Sequence, residues 1–540
     1  MSKIIMFSHK KVFSDGKTFG PSIRLWELAK ALTKKGHKVT IAEKDRGKEL
    51  TRENIRFISY IPAQILKGIR KYDVAFIQIW FDDHEFLSRV KIPIVVDVYA
   101  PYLLEHIHYD YKKTQSDFWR FTDDIFLSTL IPFQYGDYFI CASERQRRYY
   151  LGMLAAVGRV NPYNRKRNLV GIVPFGVKSG KPLGKKKILR KAIPGDKKII
   201  LWMSTFFNWL DPMQTARIMH EISKKSDKYV LAVVGAQSPF VYKKLYEDNY
   251  NKFYRFVKDK KMLNKSVFLF DYADYEDIDS IYNESDLFIA TYPQGILETE
   301  LSYRTRVSEA MYGRLPVIVS GGDTVAELVK RYQTGVVIDG KTPEETASVV
   351  LKLSEKDKAA MKKNIEKFVS DNAWDKLVGP LDNFCWKPSV DKTKTEFRHS
   401  QLLDSRREVF MSLRDERDRK EGSIKKLEEE IEKRDKHILN LQEEIESRKM
   451  KASDLKEKQH ELEKILIERD AEINGLITSW ETLKAEKNST EKELKAFKQK
   501  VDFLEKRLGE LRNSVTYPLF KLTYSIGKTK FGKTLQKLLK

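Results

Sequence analysis

The chain has 540 residues, with 100 Lys and Arg against 76 Asp and Glu and a formal net charge of +24. Apolar residues make up 41% and aromatics 11%, enough for sizeable cores, which excludes a wholly disordered chain. Two cysteines, Cys141 and Cys385, exclude a disulfide framework. No apolar run approaches the roughly 18 residues of a membrane-spanning helix, and no signal-peptide pattern opens the sequence, so an intracellular protein is expected.

The charge is unevenly placed. Residues 396–512 hold 28 basic and 29 acidic side chains, residues 513–540 hold six lysines and no acid, and the first 395 residues hold 66 basic and 47 acidic ones. The excess of +19 on that first region, the neutral middle and the basic end predict three different tasks.

In chain order, residues 3–7 are a short apolar run of the kind that forms a buried parallel strand. Asp15-Gly16 and Phe19-Gly20-Pro21 make a loop. Ile23, Leu25, Trp26, Leu28, Ala29 and Leu32 then recur at helical spacing and stop at Lys34-Lys35-Gly36. Residues 37–42 are the next strand, so a βαβ unit opens the chain. Residues 74–79, 94–98 and 138–142 continue the strand series, and a second series runs through 198–203, 230–235, 267–270, 287–290 and 316–320. The predicted fold is α/β: two Rossmann-like domains, 1–180 and 181–390, with ligands beyond the carboxyl ends of the strands in the cleft between them.

From Ile424 to Leu511 a heptad continues without a break, and 20 of its 26 a and d positions are apolar, too many for a solvated charged helix. A long α-helical coiled coil over 400–512 and self-association are expected, with a parallel dimer favoured in its first half. The basic amphipathic tail, 513–540, interleaves Val515, Tyr517, Phe520, Tyr524, Phe531 and Leu535 with its lysines. That composition suits an anionic bilayer surface; docking back on the protein is the plainer alternative. The expected location is the cytoplasm, with peripheral attachment to the inner membrane face as the tail's contribution.

The segment from Gly20-Pro21-Ser22-Ile23-Arg24 to Gly36-His37-Lys38-Val39 resembles the first βαβ unit of the retaining GT-B glycosyltransferases (glycosyl transferases group 1, family 4-like). There a glycine loop meets a helix N-terminus whose free N–H groups face sugar or phosphate. A second stretch, Glu298-Thr299-Glu300-Leu301-Ser302-Tyr303-Arg304-Thr305-Arg306-Val307-Ser308-Glu309-Ala310-Met311-Tyr312-Gly313-Arg314-Leu315-Pro316, resembles the donor-binding segment of that family. The resemblance implies that Glu309 binds the ribose hydroxyls and that Glu298 is the sugar-side carboxylate, with Glu300 the other available partner. It further implies that Arg304, Thr305 and Arg306 face the diphosphate, where arginine offers bidentate donors.

Likeness continues through Cys141-Ala142-Ser143-Glu144-Arg145-Gln146-Arg147, Val173-Pro174-Phe175-Gly176 and Asn208-Trp209-Leu210-Asp211-Pro212. It places Ser204 and Asp211 on the donor side and Gly20 and Arg24 in the acceptor-side loop. Two departures stand out: Leu301 interrupts the family's E-x7-E spacing, and Met203-Ser204-Thr205 replaces glycines beside the donor phosphates. Asp97 or Glu105, at the end of a strand on the cleft side, is a candidate to contact the transferred sugar or the acceptor hydroxyl; capping of a turn is the alternative for Asp97. His106 and His108 lack the partners of a zinc site, and no metal or other cofactor is expected.

The resemblance thus implies an enzyme that moves a sugar from a nucleotide-diphosphate sugar to a lipid-linked or cell-surface glycan with retention of anomeric configuration. A catalytically degenerate transferase domain serving as a coiled-coil scaffold at the membrane is the alternative. Nucleic acid is not expected as a partner, because no basic zipper, finger or RNA-binding signature accompanies the charge.

Overall fold

The computed structural model describes residues 1–13, 16–44, 46–107, 125–126, 128–241, 243–396 and 456–512, with scattered positions between 419 and 441. It divides into two units, one of residues 1–110 and 128–397, the other of 111–127 and 398–540. The tail at 513–540 and His108 lie outside the described residues.

The first unit has two lobes. In the first lobe, β1 (Lys3–Ser8), β2 (Lys38–Glu43), β3 (Leu50–Arg52), β4 (Ile55–Ser59), β5 (Val74–Gln78), β6 (Ile94–Asp97), β7 (Tyr138–Cys141) and β8 (Val170–Ile172) form one sheet. Their order is β3-β4-β2-β1-β5-β6-β7-β8, and only the β3–β4 pair is antiparallel. Helices cover both faces, which is why β1 and β5 read as unbroken apolar runs rather than alternating ones. The predicted helix runs over Gly20–Lys34 and buries Leu25, Trp26, Leu28, Ala29 and Leu32.

The second lobe repeats the plan with β9 (Lys198–Met203), β10 (Tyr229–Val234), β11 (Val267–Phe270), β12 (Leu287–Ala290), β13 (Val317–Val319) and β14 (Gly335–Val337). This sheet is wholly parallel, in the order β11-β10-β9-β12-β13-β14. Strand order reverses between β1 and β5 in one lobe and between β9 and β12 in the other. Crevices therefore open beyond the carboxyl ends of those strands, the place where open α/β sheets bind ligands.

The chain does not end in the second lobe. Val177 pairs with Ala373, and the helices Trp374–Leu377 and Gly379–Trp386 pack on the first lobe. Ser2 Oγ donates to the Cys385 carbonyl at 2.5 Å, His37 Nε2 lies 2.8 Å from Asp382, and Tyr138 stacks on Phe384 at 4.7 Å. Beyond them Arg159 pairs with Asp391 at 3.1 Å and Lys394 with Asp137 at 2.7 Å. The expected domain limit at residue 390 thus differs from the structure, in which residues 373–396 return to the first lobe. Helical periodicity reports an apolar face on this segment but not which sheet it covers.

In the second unit a single helix spans Lys456–Arg512, 57 residues and about 85 Å at the α-helical rise. From Leu466 to Leu504 the described a and d residues are all shielded or half-shielded, and Ile473 and Val501 are buried, whereas Ile467 and Ile477, off that seam, are exposed. Between Leu466 and Leu494 shielding follows the heptad apart from Ser479, whereas beyond it Gln499 and Asp502, off the seam, are buried as well. No described helix is long and apolar enough to cross a membrane.

Candidate active site

The cleft side of the first lobe begins at the loop after β1. Gln78, at the end of β5, donates through Nε2 to the Pro21 carbonyl at 3.0 Å and so fixes the loop against the sheet. Gly16 adopts φ +76°, and a Cβ there would stand 3.4 Å from Asp274 of the second lobe. Gly20 is the first residue of the helix Gly20–Lys34 and has open space around it.

Arg24 points inward, not into the loop. Its Nε and Nη2 donate to the two carboxylate oxygens of Asp97 at 2.7 and 2.9 Å, and Nη2 and Nη1 reach the carbonyls of Val173 (2.9 Å) and Pro174 (3.2 Å). Both side chains are fully buried, and the guanidinium lies over the Tyr99 ring at 4.8 Å. Burial raises the Asp97 carboxyl's pKa while Arg24 pulls it down. Neither group is presented to a ligand in this arrangement; together they tie the first helix to β6 and to the chain entering the linker.

Glu105 is different. It sits half-buried on the helix Tyr102–Ile107, which packs against the helix Leu297–Leu301 of the second lobe. Loss of water pushes its carboxyl up to about 8; nearby Glu298 adds to the rise and Arg304 opposes it. His106 Nδ1 donates to the Tyr102 carbonyl at 2.5 Å, and burial lowers its pKa to about 4.

On the second lobe the expected donor segment follows β12, beside the reversal of strand order. Glu298 is 2% exposed and accepts from Arg304 Nη1 and Nη2 at 2.9 and 2.7 Å and from Ser302 Oγ at 2.6 Å. Arg304 also faces Asp323 at 3.8 Å and lies over Tyr292 at 4.7 Å. Burial works against its charge, but Glu298 and Asp323 outweigh that and hold its pKa above the ordinary value. Burial lifts Asp323 to about 6, with Arg304 opposing. Glu298 and Arg304 are thus brought together as partners of each other, and the arginine's charge is matched inside the protein.

Thr305 opens the helix Thr305–Tyr312, on which Arg306 Nη1 donates to Glu309 at 2.6 Å. These two side chains keep 23% and 18% of their surface, against 1% for Glu298, so they are the accessible pair of the segment. Burial disfavours the Arg306 charge, but Glu309 and Tyr272 more than offset it and raise its pKa. Tyr272 and Tyr275, in the loop after β11, link this pair to the first lobe: Tyr272 Oη donates to the Thr18 carbonyl at 2.9 Å and Tyr275 Oη to Glu27 at 3.2 Å.

Ser204 and Thr205 follow β9 directly. Ser204 is half-buried and its carbonyl accepts from Trp202 Nε1 at 2.9 Å. Asp211 caps the helix Pro212–Lys225 by accepting from the Gln214 N–H at 2.9 Å. Two residues of the first lobe received no role from the sequence. Arg145 donates to the carbonyls of Glu300 (3.1 Å) and Gly322 (2.5 Å) and pairs with Glu327, and Gln146 bridges the lobes from a fully buried position. Their signal is position: they stand two and three residues after Ser143, the N-cap at the carboxyl end of β7.

Two Rossmann-like lobes facing across a cleft, with the last helices returned to the first lobe, define the GT-B class of fold. Within it, residues 185–368, on the second lobe, match the family Glycosyl transferases group 1. The chain is similar in structure to sucrose-phosphate synthase from Thermosynechococcus elongatus (15% identity, TM-score 0.50) and to WaaG, a glycosyltransferase involved in lipopolysaccharide biosynthesis (13%, 0.51). It is likewise similar to a trehalose-6-phosphate protein from E. coli bound with UDP-2-fluoro glucose (11%, 0.51). Each likeness covers 72% of this chain and 100% of the other. No curated protein sequence matches the chain.

Proposed function

We propose that the protein is a glycosyltransferase that moves a sugar from a nucleotide-diphosphate sugar to a lipid-linked or cell-surface glycan, with retention of configuration. The observation that carries this reading is the accessible Arg306–Glu309 pair, at the junction of the lobes and inside the segment matched to the family. A carboxylate there accepts from both ribose hydroxyls, and the adjacent guanidinium meets the charge that grows on the departing diphosphate. Ser204 and Thr305 stand on the donor side of the same crevice. Glu298 with Arg304, and Asp97 with Arg24, hold the walls, while Glu105 offers the acceptor a carboxyl that keeps its proton near neutral pH. No metal or cofactor enters the scheme.

The apolar a and d positions from Ile424 to Leu511 support a coiled coil that joins copies of the chain, and the lysine-rich tail supports attachment to an anionic inner membrane face from the cytoplasm. A scaffold with a degenerate transferase domain is the competing reading, favoured by Met203-Ser204-Thr205 at the end of β9. A screen of nucleotide sugars against the full chain separates the two. Turnover that Glu309→Ala abolishes without lowering the melting temperature supports the enzyme; turnover undiminished in Glu309→Ala overturns the site, and absence of any nucleotide binding favours the scaffold.

A further inference from the structure

A groove of about 510 Å³ opens on the first lobe along the outer edge of β8, between the helix Glu144–Ala156 and Pro380 of the returned helix. Four cations line it, Arg147, Arg165, Lys166 and Arg167, against one carboxylate, Glu144, which is shared between Arg147 and Arg148.

Two of the cations are held in place by backbone carbonyls. Arg147 Nε donates to the Val170 carbonyl at 3.1 Å, and Arg167 Nη2 donates to the carbonyls of Asp137 (3.1 Å) and Ser389 (3.0 Å). Carbonyls orient a guanidinium without cancelling its charge. The carboxylate nearest Arg167 is Asp391, 4.0 Å away and already bonded to Arg159 and Thr393. Arg165 and Lys166 are exposed and make no ion pair among the described residues.

The strand supplies the floor. Leu169 and Val173 bond inward to β7, so the alternation of a strand turns the backbone of Val170 and Ile172 toward the open edge, where the Val170 carbonyl already takes Arg147. Beside this polar edge Ile172 and Pro380 add apolar surface. Preoriented guanidiniums, two further cations and an apolar floor match a phosphate group carried on a less polar body; arginine in particular suits phosphate oxygens.

We infer that this groove is an anion site for a phosphate-bearing ligand, separate from the Arg306–Glu309 crevice. Free phosphoesters and phospholipid headgroups share that chemistry. The inference does not depend on the transferase reading.

The test uses the full chain, wild type and Arg165→Glu/Lys166→Glu, with both substitutions on exposed side chains. Sodium pyrophosphate is titrated calorimetrically at low and high salt, and sedimentation is measured with phosphatidylglycerol and with phosphatidylcholine vesicles. The tail is present in both proteins, so a difference between them reports the groove. Pyrophosphate binding that weakens with salt, falls about tenfold or more in the double variant and persists in Arg306→Ala identifies a free phosphate as the ligand. No pyrophosphate binding, but phosphatidylglycerol binding reduced in the double variant, identifies the headgroup. If the double variant changes neither, or pyrophosphate binding is lost only in Arg306→Ala, the groove is not an anion site.

Discussion

Gln146 of the first lobe donates its side-chain amide both to the Tyr99 carbonyl at 2.7 Å and, across the cleft, to the Leu301 carbonyl of the second lobe at 2.8 Å. Its amide oxygen accepts from the Ala142 N–H at 2.8 Å, so this fully buried side chain uses both its ends. Gln146→Leu fills similar space but strands three backbone groups. A loss of about 1–3 kcal/mol is expected, read from chemical denaturation. An unchanged midpoint would mean that the lobes do not depend on this bridge.

Arg24 and Asp97 form a buried pair, so either partner alone becomes an uncompensated charge. Asp97→Ala is expected to destabilise the first lobe by about 3–5 kcal/mol. Replacement of both, as Arg24→Met with Asp97→Ala, is expected to cost less than the single carboxylate deletion. If Asp97→Ala instead leaves the midpoint alone and removes turnover, the pair belongs to the chemistry and not to the frame.

The two arginines of the donor segment separate by the same reasoning. Arg304→Ala leaves Glu298 buried without its cation and is expected to lower the melting temperature strongly. Arg306→Ala removes a partly exposed charge; it is expected to leave the melting temperature close to wild type and to weaken nucleoside-diphosphate binding by about tenfold or more. Calorimetry with nucleoside diphosphates, paired with thermal melts, checks both. The reverse pattern would make Arg304 the diphosphate cation.

Glu105 predicts a pH dependence. Its carboxyl is raised to about 8 in the folded protein, against about 4.3 for an unfolded chain. Between those values the folded state holds a proton that the unfolded state has released, so this group's contribution to stability falls as pH rises from about 4.5 to about 8 and levels off above. Glu105→Gln keeps the neutral hydrogen-bonding form at every pH. It is expected to melt like wild type near pH 5 and above it near pH 8.5. A constant difference between the two proteins across that range would show that Glu105 does not titrate there.

Much of the fold was legible because buried parallel strands carry their own signature. All ten strands expected from apolar runs are present, since burial on both faces demands unbroken apolar residues. The strands that went unread, β3, β4, β8 and β14, are short or at or near the sheet edges, where one side faces solvent and the pattern fades. The candidate segment, Glu298 to Glu309, stands at the reversal of strand order, next to the cleft. Which members face a ligand was not legible, because Glu298, Arg304, Arg24 and Asp97 are the same residue types whether they meet a sugar or each other.

By itself the sequence determined two tandem α/β lobes, the helical character of residues 456–512, and a +19 excess on the first 395 residues. Those properties follow from local periodicity and composition, which need no partner. Only the tertiary structure decided that residues 373–396 return to the first lobe, that Arg24 and Arg304 are matched within the protein while Arg306 remains accessible, and that part of the basic excess gathers at the edge of β8. Pairing depends on distances between residues far apart in the chain. A buried charge must find its partner there, and a basic residue left beside a carbonyl keeps its charge for something else.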